Sequence, residues 1–69
     1  MIIFNKNTSL LLFKDLDGDE EIKQATYVFK AGAPLEATII EEYEGFVNLE
    51  FKNLGTAFGI SRGSFINLP

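Results

Sequence analysis

From Ala25 to the end of the chain apolar and polar residues alternate with a period of two, interrupted only by short clusters of glycine, proline and asparagine. That period places successive side chains on opposite faces of an extended strand, so each segment can turn one face to a core and the other to water. Ala25, Tyr27 and Phe29 share one face. In the next segment Leu35, Ala37 and Ile39 point inward while Glu36, Thr38 and Glu42 point outward, with Ile40 the apolar exception on the outer side. Over residues 46–52 the inner set is Val47, Leu49 and Phe51 and the outer set Asn48, Glu50 and Lys52, which leaves Phe46 facing outward beside a turn. Tyr43-Glu44-Gly45-Phe46 reads as a tight hairpin, because glycine takes the positive φ such a turn needs. A second turn is expected at Asn53-Leu54-Gly55, and further strands at residues 9–16, 56–60 and 65–68. The first of these is apolar on both faces from Leu10 to Phe13. The one stretch with helix-like charge, residues 15–24, contains Gly18 and lacks apolar residues at spacings of three and four.

Sixty-nine residues suffice for one domain, spanning 1–69, and at this size only about 60% of the unfolded chain's surface is buried on folding. A hydrophobic content of 46%, with seven phenylalanines and two tyrosines, can fill a single core. The chain has no cysteine, which excludes a disulfide framework and thiolate zinc sites. Stability then rests on packing, helped by self-association. Ile2-Ile3-Phe4 is followed at once by the polar run from Asn5 to Ser9, far short of a signal h-region or a membrane span, so a cytoplasmic protein without a membrane partner is expected. Six basic against ten acidic residues give a net charge of −4, and no four consecutive residues hold more than one Lys or Arg. Binding to nucleic acid or anionic lipid depends on clustered positive charge, and this distribution argues against both.

Short strands of this number fit a small barrel better than a sandwich, which needs about seven strands and about 100 residues. Three runs resemble segments of SH3 domains. Phe29-Lys30-Ala31-Gly32-Ala33-Pro34-Leu35-Glu36 looks like the stretch that closes the RT loop and enters the second strand. Glu42-Tyr43-Glu44-Gly45-Phe46-Val47 is similar to the acidic stretch and Gly-aromatic step of the n-Src loop. Gly59-Ile60-Ser61-Arg62-Gly63-Ser64-Phe65-Ile66 resembles the closing stretch, in which a 3₁₀ turn precedes an aromatic and a β-branched residue. Leu12-Phe13-Lys14-Asp15 would stand for the first motif, with residues 15–21 as the RT-loop tip. The resemblance implies an all-β fold, a small five-stranded SH3-like barrel with a long acidic hairpin loop, and a protein-binding role. The groove walls it implies are Phe13, Phe46 and Phe65. Phe46 stands where the family carries a groove Trp, and Arg62 where it carries a ligand-contacting Pro. By residue type alone Phe13 also fits plain core and Phe65 fits core or surface equally, whereas Phe46 has no folding reason to face outward beside a turn.

Asp15-Leu16-Asp17-Gly18-Asp19-Glu20-Glu21-Ile22 echoes a calcium-binding loop in its alternating aspartates. Glycine, however, is at position four instead of six, and Thr26 replaces the bidentate glutamate at position twelve. The segment is therefore read as a solvated hairpin tip whose carboxylates Asp17, Asp19 and Glu20 select a basic partner, with no metal or other cofactor. Histidine and cysteine are both absent, so the usual general base and thiol nucleophile are missing, and a non-enzymatic role is expected. Two functions follow: an interaction module that holds a peptide or basic protein surface through Phe46 and the acidic loop, or an assembly protein. In the second, the apolar excess at Ile2 to Phe4 and Leu10 to Phe13 is buried in a homo-oligomer, expected to be a dimer paired through an edge strand, or in a larger complex of which the chain is a subunit.

Overall fold

The computed structural model describes residues 1–15 and 22–69. It is all-β, with strands β1 (Ile2–Phe4), β2 (Thr8–Asp15), β3 (Ile22–Phe29), β4 (Ala37–Tyr43), β5 (Phe46–Phe51), β6 (Gly55–Ser61) and β7 (Phe65–Asn67). A 3₁₀ turn at Arg62–Ser64 joins the last two. Among the described residues no helix is long and apolar enough to cross a membrane. β2 to β6 form one antiparallel sheet in the order β3-β2-β6-β5-β4, and β1 pairs with β7 in a second, two-stranded sheet. The architecture departs from the expected closed five-stranded barrel. β3 and β4 are free edges of the larger sheet, and the smaller sheet is tied to the segment between them, where Ile2 and Leu35 exchange backbone hydrogen bonds of 2.9 Å each and the Gly32 N–H donates to the Phe4 carbonyl at 3.1 Å.

Three apolar, strand-forming residues at the N-terminus explain the strand that alternation alone does not predict. Ile2, Ile3 and Phe4 pair with Asn67, Ile66 and Phe65, which lays β1 against the inner face of the five-stranded sheet. Ile2 and Phe4 are thereby completely covered within a single chain, so the expectation that a second copy must bury them is corrected. β3 also begins earlier than its alternation suggests, since Ile22, Lys23 and Gln24 pair with Asp15, Lys14 and Phe13. That hairpin stem is regular from Thr8↔Phe29 to Asp15↔Ile22. Its tip, with Asp17, Asp19 and Glu20, lies outside the described residues.

The core is built around phenylalanine. Phe4 packs against Phe29, Phe51 and Phe65 with ring centroids 5.9, 6.5 and 6.2 Å away, and Phe29 stacks on Phe51 at 4.9 Å. Pairs at such separations add about 0.5–1.5 kcal/mol each to the burial of their surface. Val47, Leu49 and Phe51 of β5 are buried beside them as their spacing predicts, and Leu35, Ala37 and Ile39 pack half-buried against this cluster. Phe65, one of the three expected groove walls, belongs to this core at 7% exposure, because pairing with Phe4 turns its ring inward.

Asn48 is buried, at 4% exposure, on the side of β5 that the alternation assigns to solvent. The register shifts on both of its flanks, between Ile39 and Glu41 on β4 and between Val47 and Leu49 against β6. On the β6 side Gly59 takes φ +68°, a left-handed conformation suited to the extra residue of a β-bulge. The bulge aims the Gly59 N–H at Asn48 Oδ1, 3.0 Å away, so the buried amide is satisfied.

Candidate binding surface

One face of the five-stranded sheet is covered by the phenylalanine core, and the other is open. Cross-strand register fixes what the open face presents. A single row runs over five strands, Thr38 on β4 opposite Glu50, Glu50 opposite Thr56, Thr56 opposite Phe13, and Phe13 opposite Gln24. Residues directly opposite in this way share a face and stand about 5 Å apart. Four residues of the row, Thr38, Glu50, Thr56 and Phe13, line a groove of about 1020 Å³ together with Phe58 and with Met1, Lys14, Glu36, Lys52 and Asn53.

The aromatic wall comes from the same bulge that buries Asn48. Ala57 and Ile60 are both buried, three positions apart, so one residue between them breaks the two-residue period and Phe58 is delivered to the open face. It is 57% exposed and packs on half-buried Phe13 at 5.6 Å between centroids. β6 can approach β2 this closely because Gly55 carries no side chain, for a Cβ there would meet the Phe13 carbonyl oxygen at 2.6 Å. Gly55 also has φ +132°, which other residues rarely adopt.

A second aromatic pair sits at the other end of the face. Tyr43 and Phe46 stand opposite each other across the turn, 55% and 50% exposed, and Gly45 within that turn has φ +80°. The Tyr43 hydroxyl donates to Glu41 Oε2 at 2.8 Å and accepts from Asn48 Nδ2 at 3.0 Å. Glu41, Tyr43, Asn48 and the Gly59 amide therefore form one continuous chain that holds the tyrosine ring in place. The bond to the Glu41 carboxylate raises the Tyr43 phenol above its ordinary value of 10.0, with the Asn48 donor opposing the change.

Charges around the face are mostly paired. Arg62 Nη1 lies 2.6 Å from Glu42 Oε1, and Lys52 Nζ lies 3.4 Å from Glu36 Oε2. Lys14 Nζ donates to the Asn53 carbonyl at 3.3 Å. Among the described residues Glu50, in the lining of the groove, has no ion-pair partner. Among them, too, no three His, Cys, Asp or Glu side chains come together as a metal centre requires.

Of the residues selected from sequence, Phe46 and Phe13 reach this open face but do not adjoin. Phe46 lies opposite Ser61 at the end of β6, and Phe13 opposite Thr56 near its start. The offset along the strands is about 15 Å at the usual rise, and two interstrand spacings add about 10 Å across them. With Phe65 in the core, the three do not form one aromatic-walled groove. Sequence reasoning missed Phe58, Tyr43, Asn48 and Glu50 as members of a common surface. A signal for the first was present, because an isolated glycine inside a strand pattern, here Gly59, marks a bulge that shifts everything before it to the opposite face. Compared with known proteins, the chain matches no family model, and neither a curated protein nor a solved structure is significantly similar to it.

Proposed function

We propose that this chain is a non-catalytic protein-interaction module that holds a peptide or a basic protein surface on the open face of its five-stranded sheet. The observation that carries this reading is the placement of Phe58, Phe46 and Tyr43, three aromatic side chains at least half exposed on one face, of which Phe58 lines a groove. Exposed rings arranged together, with no folding role, are the usual anchors of an interface. An SH3-like topology is part of the proposal. It is supported by the chain order: a long hairpin β2–β3, a turn through Gly32 into β4, the tight turn at Gly45, and a 3₁₀ turn directly before the final strand.

Affinity capture from the source cells, with the wild type and the Phe46→Ala and Phe58→Ala variants side by side, tests this reading. Both variants should stay within about 0.5 kcal/mol of wild-type stability. Each should weaken a direct partner by about 1–3 kcal/mol. Equal recovery of every partner by all three proteins would place the interface elsewhere.

A second reading, self-association through an edge strand, is favoured by the difference between the two edges. β4 is interrupted by a bulge and carries Glu41 and Glu42, which discourage a neighbouring strand. β3 is eight residues long, free of proline and of register shifts, and exposes Val28 at 72%. Sedimentation across a range of concentrations decides the matter, since a constant monomer mass removes this reading.

A further inference from the structure

We infer that the groove is the seat for an arginine side chain of an extended partner segment, with its guanidinium on Glu50 and its stem against the Phe13–Phe58 wall. The inference rests on the interaction-module reading and names the chemistry of that module's ligand. Glu50 is the second residue of the row from the β4 edge, between exposed Thr38 and half-buried Thr56. The side-chain cations that line the groove are both engaged, Lys52 with Glu36 and Lys14 with the Asn53 carbonyl. What remains is an acceptor-only carboxylate between two threonines.

Glu50 stands two strands from Phe13, about 10 Å at the ordinary interstrand spacing. Phe58, on the intervening strand β6, narrows that gap and leaves an aromatic wall and a carboxylate facing one channel. Arginine is the side chain whose chemistry matches both. Its planar guanidinium offers a fork of donors to a carboxylate and stacks on aromatic faces, whereas the lysine ammonium is a strongly hydrated point charge that does neither as well. A carboxylate or phosphate in the same place would face Glu50 and be repelled.

The test is selection of a displayed library of random peptides on the full chain, followed by titration of a selected peptide. Recovered sequences should carry an arginine beside apolar residues. Glu50→Gln keeps the shape of the side chain at an exposed site and should weaken such a peptide about tenfold, the scale of one charge-assisted hydrogen bond. Replacing the peptide arginine by glutamine should have the same effect, and the two changes together should cost little more than either alone. Glu44→Gln, in the turn outside the groove, serves as the control and should leave affinity unchanged. Selected peptides that lose binding to Phe58→Ala yet ignore Glu50→Gln would overturn the arginine seat and leave the binding face standing. Peptides indifferent to both Phe58→Ala and Phe46→Ala, or no selected peptide at all, would remove the face and the seat together.

Discussion

The seven phenylalanines divide into two populations that the same residue type serves in opposite ways. Phe4, Phe29, Phe51 and Phe65 lie inside, each with a ring centroid within 6.5 Å of another in the group. Phe13, Phe46 and Phe58 lie on the other face of the sheet, where Phe58 and Phe46 leave half or more of their surface in water. The inner group keeps a chain without disulfides folded. The outer group has no such task, and its exposure costs hydrophobic surface that a monomer has no reason to display. Identical side chains are therefore buried or exposed according to the face that the strand register assigns them.

The comparison breaks most readily from the inside. Phe51 is 2% exposed and touches two other rings, so Phe51→Ala should destabilise the domain by about 3–5 kcal/mol, read from the midpoint of denaturant unfolding. A domain of this size has little more stability than that, and the variant should be largely unfolded in physiological buffer. A loss near that expected of Phe58→Ala, within about 0.5 kcal/mol, would mean that the two faces are not energetically distinct.

Gly55→Ala sharpens the link between the faces. The added methyl group meets the Phe13 carbonyl at 2.6 Å, and the backbone is strained for any side chain at φ +132°. A loss of about 2–3 kcal/mol in the same unfolding measurement is expected, since strain of this kind costs about 1–3 kcal/mol before any steric shift. Displacement of β6 from β2 should also loosen the Phe13–Phe58 contact. Unchanged stability would show that the two strands part without cost.

The smallest effect is spectroscopic and belongs to the outer face. Tyr43 bonds to Glu41 as the neutral phenol, and its folded value lies above the ordinary 10.0. The sign follows from the preference for the protonated form: whatever stability this bond adds is fully present below about pH 10 and is lost as pH rises through the raised folded value. An ultraviolet titration should show one phenol ionising late, and Glu41→Ala should bring it back down toward 10.0. If the titration is the same in both proteins, Glu41 is not holding the ring.

Much of the strand layout is legible in the sequence, because strand alternation is a local property. The inner trio Val47, Leu49 and Phe51, the half-buried Leu35, Ala37 and Ile39, and the turns at Gly45 and at residues 53–55 follow from residue type and spacing. Asn53 takes φ +65°, a conformation that asparagine tolerates better than most residues. The candidate surface was legible only at Phe46 and, in part, at Phe13. Phe58 escaped because a bulge adds one residue to β6 and reverses its side-chain parity, so a count of two along the chain fails at Gly59, while Asn48 keeps its outward parity and is buried beside that bulge, bonded to Tyr43 and the Gly59 amide. Glu50 was read as outward from its parity, but its place in the lining of a groove depends on Thr38, Thr56 and Phe13 arriving from three other strands.

What the sequence determined by itself is the all-β class, most of the strand positions and which side chains within each strand point the same way. The tertiary structure decided which of the two faces is covered. Alternation places Phe65 opposite Ile66 but is silent on which of them goes inside, and pairing with Phe4, sixty-one residues earlier in the chain, settles it. The same holds for Ile2 and Phe4, whose burial depends on β7 and Leu35 meeting them from the far end and the middle of the sequence. Periodicity is a relation between neighbours along the chain, whereas burial is a relation between segments distant in it, and only folding brings those segments together.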